Sequence, residues 1–394
     1  MSGERIARVE ALVVVIPRET PYLGALRAGD APNPRGYVVR RGNRTVYPID
    51  DRTVLVRIET ASGAIGWGEG FGVVAPRATA EVVVDLLGPL LLGRDPRDPA
   101  PLHDDLADTM RVRGFRGGFF GDALAAVDIA VWDLAARLAG LPLARLLGGL
   151  RHDRVPAYVS GLPKPTLAER VAEAEQWIAR GFDAVKFAAV VADAGPEAEM
   201  AALRAALGPG VRIAADLHWA YTAADAIAVI DRLARHGLWF AEAPVASEDI
   251  DGLAAVAARS RVPIAGGEEL ATVHDVRERL ARRGFAIVQP EMGHTGITQF
   301  LRIAHLAEAC HVRIIPHATI GIGLFLAASL HASAALAGVI GHEYQHSIMD
   351  RNLRFLDQQG MACATGAYTL PEGPGLGVTP SAALDPYIRF RQAA

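Results

Sequence analysis

Cysteine is scarce: the 394 residues hold two, Cys310 and Cys363. That excludes a disulfide framework and a thiolate metal cluster. Lysine is as scarce, since Lys164 and Lys186 are the two lysines among 40 basic residues and the rest are arginine. An excess of one charge sign is also lacking. The 40 basic and 44 acidic side chains leave a net charge of −4. Such a balance sets up no broad field for nucleic acid or an anionic membrane, so the expected partner is a small molecule held in a pocket. The N-terminal MSGERIARVEALVVV carries charges in its first ten residues and has no small-residue cleavage site. It does not read as a signal peptide, and a cytoplasmic location is expected. One run, residues 318–341, has no Asp, Glu, Lys or Arg. It is long enough for a bilayer, but it contains His331, hydroxyl residues and much Ala and Gly. A helix buried in an α/β core is the expected form, and no membrane span is predicted.

Apolar residues make up 51% of the chain, enough for a sizeable core and too many for a disordered one. Residues 5–16 and 53–59 alternate as strands, and the turn near Ser62 and Gly63 leads into IGWGEGFG. Residues 79–92 and 122–141 change to a helical period, so the first third reads as α+β. After Gly149, short apolar runs alternate with amphipathic helices. Strands are predicted at 155–161, 184–190, 212–218, 239–245, 262–269, 286–292, 313–319 and 341–347. Eight such repeats predict a (β/α)8 TIM barrel. A doubly wound sheet would alternate in the same way, but it would usually carry a Gly-rich phosphate turn after its first strand, where this chain has SGLPKP.

Catalytic groups of a barrel gather at the C-terminal strand ends. Those ends carry Lys186, Asp216 with His218, Glu242, Glu268 with Glu269, Glu291, His317 and Glu343. Residues 216, 242 and 268 are spaced by 26, as are 291, 317 and 343. One βα unit separates each pair, so these side chains should converge at one mouth. Three carboxylates from successive strands form an oxygen-only donor set, which favours Mg2+ first and Mn2+ second. Without a cation they would repel one another or take up protons.

At this point the chain resembles the enolase superfamily, in its mandelate racemase/muconate lactonizing enzyme-like branch. The segment ALAAVDIAVWDLAARLAGLPLARLLGG (123–149) is similar to a signature of that branch. AADLH, WFAEAP and IAGGEE match its metal triad as Asp216, Glu242 and Glu268. QPEMGHTGIT, IIPHATIG and GPGLGV also look like family segments. The resemblance implies an α+β capping domain (1–130), a TIM-barrel catalytic domain (131–365) and a tail returning to the cap (366–394). It also implies a homo-oligomer, and a small-molecule carboxylate substrate whose α-proton is abstracted with the help of Mg2+.

Departures from the family pattern narrow the chemistry. Racemase-type members carry Lys-X-Lys on the second strand; here Ala188 replaces the second Lys of Lys186-Phe187-Ala188. That argues against proton transfer on both faces of one carbon. Asp216-Leu217-His218 resembles galactonate- and mannonate-type dehydratases, where the His protonates a departing hydroxyl. His317 matches the family base, Lys186 would stabilise the enediolate, and Glu343 matches a Glu that hydrogen-bonds the substrate carboxylate. The partner of the base is usually Asp; this chain has Glu291, one methylene longer, so the dyad is expected to be reoriented or broken. Ala243 stands where the family often has a second Glu. In the cap, Tyr22, Leu23, Arg27 and the segment 111–120, with Arg113 and Arg116, are candidate lid and substrate-binding residues. Lys164 reads as a solvated loop residue, and Glu269 as a neighbour of the site or a surface group. The implied activity is dehydration of an aldonate or aldarate to a 2-keto-3-deoxy acid. Two alternatives stay open: a cycloisomerase or epimerase working through the same enediolate, and a non-catalytic metal- and acid-binding protein on this scaffold.

Overall fold

The computed structural model describes residues 4–22, 24–27, 29–318, 321–358 and 360–394. Leu23, one of the lid candidates, lies outside them. Strands Ile6–Ile16, Asp51–Thr60 and Ile65–Gly70 form an antiparallel sheet, and the C-terminal strand Ile388–Ala393 pairs with the first of them. Both faces of this sheet are buried, which explains why the first strand is almost continuously apolar. Ala11 and Val13 pack into the cap core, whereas Leu12, Val14 and Ile16 join the barrel core. The helix Gly118–Leu138 lies directly on the strand IGWGEG. A Cβ on Gly66, Gly68 or Gly70 would fall 2.3, 2.0 or 2.4 Å from the carbonyl oxygens of Ala130, Ala126 and Asp122. Alternating glycines therefore let helix backbone and strand touch.

The barrel strands are Arg154–Ser160, Ala184–Ala188, Arg212–Asp216, Leu238–Glu242, Ile264–Gly266, Ile287–Val288, Arg313–Ile314 and His342–Tyr344. They pair in parallel, consecutively from the first to the seventh, and the eighth returns to the first. Ile314 bridges Val339, closing the ring between the last two strands. Tyr158, Ala184, Ala214, Phe240, Ala265, Ile287 and Ile315 form a separate apolar cluster. Four of the intervening helices begin at Thr or Asp side-chain caps: Thr166 with Glu169 in a capping box, then Thr222, Asp249 and Thr272.

Several strands end sooner than the apolar runs predict. The runs 262–269, 286–292 and 313–319 keep three, two and two residues in the ladder. The backbone leaves the sheet where Glu268, Glu291 and His317 turn toward the mouth. Residues 346 and 347 of the predicted eighth strand belong instead to the helix His346–Asn352. The uncharged run contains the helix Leu324–Ala335, buried throughout its length up to Ala334. Among the described residues, no helix is long and apolar enough to cross a membrane. The helix Gly118–Leu138 runs through residue 130, where the resemblance divides cap from barrel.

Buried carboxylates join the two parts. Glu69 of the cap accepts the N–H groups of Ile322, Leu324, Gly323 and Phe325 at 2.6, 2.8, 3.2 and 3.2 Å, and the Thr53 hydroxyl at 2.8 Å. It caps the N-terminus of a barrel helix from another domain. Asp128 accepts the backbone N–H and the hydroxyl of Thr298 at 2.8 and 2.7 Å. Asp133 accepts the N–H groups of Trp67 and Leu376 at 2.8 and 2.7 Å, tying the cap sheet to the C-terminal tail.

Candidate active site

A cavity of about 280 Å3 lies at the barrel mouth beneath the cap. Tyr22, Tyr47 and Phe71 reach it from the cap; Lys186, Asp216, His218, Glu268, Glu291, His317 and Glu343 reach it from the strand ends. Strand register brings them together, because Ala188 pairs with Asp216 and Asp216 with Glu242 across adjacent strands. The chain turns sharply there. His218, Trp219 and Ala243 adopt left-handed φ angles of 49°, 54° and 45°, costing on the order of 1 kcal/mol each for residues with a Cβ.

Lys186 lies at the floor. Its Nζ is 2.6 Å from Glu242 Oε1 and 2.9 Å from Glu343 Oε1. Gln289 donates to the other oxygen of Glu242 at 2.7 Å. Glu242, 1% exposed, sits below the cavity wall. The N–H and Nδ1 of His218 lie 2.9 and 3.0 Å from Asp216 Oδ1. His317 contacts three carboxylates: Glu291 Oε2 at 2.7 Å through Nδ1, and Glu268 and Glu343 at 3.2 and 3.5 Å through Nε2. Glu291 thus reaches His317, so the dyad is not broken.

Burial lifts the Glu268 carboxyl to about 8, with Glu242 and Asp216 adding to the effect. Burial likewise raises Glu242. Burial would lower His317, but Glu268, Glu343 and Glu291 outweigh it and hold the imidazole well above its ordinary range. His218 is raised in the same way, with Asp216 prevailing over burial. Burial opposes ionisation of Glu343, yet Lys186 and His317 bring it down to about 2.

Asp216, Glu242 and Glu268 stand at three consecutive strand ends. They present oxygen only, from three neighbouring strand ends, and their mutual repulsion is what a dication would relieve. As arranged, each turns to an internal cation or donor, and no group of three or more His, Cys, Asp or Glu among the described residues is drawn into a metal-holding cluster. The donor set fits a hard divalent cation once those contacts are exchanged.

The lid candidates fare unequally. Tyr22 lines the cavity and accepts a hydrogen bond from Gln345 at 3.2 Å. Arg27 is exposed and pairs with Asp193 at 2.6 Å, outside the cavity lining. Arg113 and Arg116 are also exposed, on the hairpin between two cap helices, and do not line this cavity. Long flexible side chains on a loop give no sequence signal of where the loop faces. Lys164 is half-exposed, 3.7 Å from Glu173. Glu269 lines the cavity and accepts from Ser247 at 2.5 Å. Gln289 and His294 went unrecognised in the sequence. Their signal was position, just before and after Glu291 in QPEMGHTGIT.

Residues 44–148 match the model of the "Mandelate racemase / muconate lactonizing enzyme, N-terminal domain", and residues 169–384 match "Enolase C-terminal domain-like". The chain is 33% identical over 343 residues to D-galactarolactone cycloisomerase from Agrobacterium fabrum, covering 82% of this chain and 88% of that protein. It is 34% identical over 357 residues to D-galactonate dehydratase from Ralstonia nicotianae, covering 85% and 90%. A crystal structure of an enolase superfamily member from Agrobacterium tumefaciens is 54% identical, with a TM-score of 0.95, and covers 98% of this chain and 99% of that one.

Proposed function

The chain belongs to the enolase superfamily, in its mandelate racemase/muconate lactonizing enzyme branch, and from that premise we propose that it is a Mg2+-dependent sugar-acid dehydratase. The observation that carries this reading is the His317 imidazole, fixed by Glu291 through Nδ1 with Nε2 turned toward Glu268 and Glu343. Asp216, Glu242 and Glu268 would hold the cation. Bound Mg2+ would stabilise charge developing on the substrate carboxylate and neutralise the carboxylate field that keeps His317 protonated.

The remaining steps fall to the chain's own side chains. Nε2 of His317 takes the C2 proton of an aldonate or aldarate. Lys186, beside Glu343, offers positive charge to the enediolate at the carboxylate end. His218, charged next to Asp216, protonates the 3-hydroxyl as the C3–O bond breaks and water leaves. The resulting enol tautomerises to a 2-keto-3-deoxy acid. Ala188 presents only a methyl group where a second base would stand, which favours elimination over racemisation.

The cycloisomerase reading has support from the Agrobacterium fabrum relative. It would use His317 as the base but release a ring oxygen instead of water. Incubation with Mg2+ in D2O against aldonates, aldarates and their lactones, followed by proton NMR, separates the two. Dehydration replaces the C2 proton signal with a 3-deoxy methylene and yields a 2-keto acid. A mass-neutral product labelled with deuterium moves the assignment to the cycloisomerase or epimerase. Acid-sugar binding without any C2 exchange overturns both and leaves a binding protein.

A further inference from the structure

His294 and Asp122 take no part in the steps above, yet they form a second His–carboxylate pair at the wall of the same cavity. His294 follows Glu291 by three residues, in the first turn of the helix Met292–Ala309. Its Nδ1 lies 2.6 Å from Oδ1 of Asp122, a buried residue in the second turn of the cap helix Gly118–Leu138. The Phe71 ring stacks on the imidazole at 4.1 Å, and the Phe71 N–H donates to the Gly293 carbonyl at 3.0 Å. The cap therefore fixes one edge and one face of the ring. Nε2 has no protein partner among the described residues, and the side chain is 21% exposed. The ring lines the barrel-mouth cavity and also a neighbouring one of about 250 Å3. A joint serving only to hold cap to barrel would need no open edge.

The other cationic groups of the cavity lining are already engaged. Lys186 is held by Glu242 and Glu343, His218 by Asp216, and His317 by Glu291. A substrate with one carboxylate has enough in Lys186 and the triad cation. A second carboxylate, buried at the far end, would need its own charged donor. With Asp122 on Nδ1, the imidazolium directs Nε2–H as that donor.

We propose that His294, oriented by Asp122 and Phe71, binds the distal carboxylate of the substrate, so that the site prefers a dicarboxylic acid sugar, an aldarate or its monolactone, over an aldonate. This rests on the reading that the cavity takes an acid sugar. Calorimetric binding of galactarate and galactonate in the presence of Mg2+ tests it without requiring turnover. The wild-type protein should bind galactarate at least about tenfold more tightly. His294→Gln should bring the two affinities within about twofold, and in turnover the loss should fall on KM for the dicarboxylate more than on kcat. Asp122→Asn should lower the preference in part. Equal or tighter binding of galactonate by the wild type overturns the proposal and needs no variant. So does a His294→Gln variant that weakens both acids alike, because the pair is then a structural joint. A binding preference abolished in His294→Gln, with no C2 exchange on any acid, upholds this contact while the dehydratase reading falls. Exchange with no dependence of preference on His294 does the reverse.

Discussion

Glu291 Oε2 lies 2.7 Å from Nδ1 of His317, and the backbones of the two residues form a parallel bridge. The other oxygen, Oε1, accepts the N–H of Gly293 at 3.0 Å. The extra methylene of Glu is taken up by folding the side chain back over the start of its own helix, where it serves as the N-cap. A carboxylate so placed fixes the tautomer that leaves Nε2 facing the cavity.

Glu291→Gln should slow α-proton exchange by about 10²–10⁴-fold, because the amide can no longer hold the imidazole in one tautomer and stabilise its charged form. Glu291→Asp retracts the carboxylate by about 1.5 Å and should cost tenfold or more. Exchange of substrate C2–H for deuterium, followed by NMR, gives both rates. An Asp variant as fast as wild type would show that the helix N-cap contact is not what positions the base.

Chelation of divalent metal with EDTA should stop exchange, and Mg2+ should restore it. Glu268→Gln should weaken Mg2+ binding by at least about tenfold by calorimetry, since it removes one of three negative donors. His317→Asn should abolish exchange yet retain Mg2+ binding. Loss of binding in that variant would move His317 from the base position to the ligand set.

Glu69 is fully buried, and its two oxygens serve four backbone N–H groups and one hydroxyl. Glu69→Ala should cost about 3–5 kcal/mol in urea unfolding, because the start of the helix Leu324–Ala335 would be left with unsatisfied buried donors. Glu69→Gln should cost less, as one amide oxygen can still accept. A loss below about 1 kcal/mol in the Ala variant would mean that solvent enters the joint.

His331 and His342 are buried and neutral, each pushed down to about 4 by burial. In the unfolded chain they titrate near 6.5. Between those values the unfolded state binds more protons, so stability falls as pH drops from about 6.5 toward 4. Each contributes on the order of 2–4 kcal/mol over the full window. His331→Gln keeps a donor for the Leu376 carbonyl and removes one titration. Its unfolding free energy should decline less between pH 7 and pH 5 than that of the wild type. An unchanged slope would assign the acid sensitivity elsewhere.

The barrel and its mouth were legible in the sequence because strand–helix alternation and a 26-residue spacing are local, periodic signals. Register follows from them, and it assigns Asp216, Glu242, Glu268, His317 and Glu343 to strand ends on one side of the barrel. The identity of residue 188 is a matter of sequence alone, and so are the uncharged run and the oxygen-only donor set. Tertiary structure decided what no period encodes: that the lid arginines stand outside the cavity lining, that Glu291 reaches His317, and which partner each buried acid finds. Asp122 and His294 stand 172 residues apart yet meet at 2.6 Å, as cap helix and barrel helix close on one another. Contacts of that kind depend on domain packing and side-chain direction. A chain pattern specifies each element, but only the assembled core sets the distance between them.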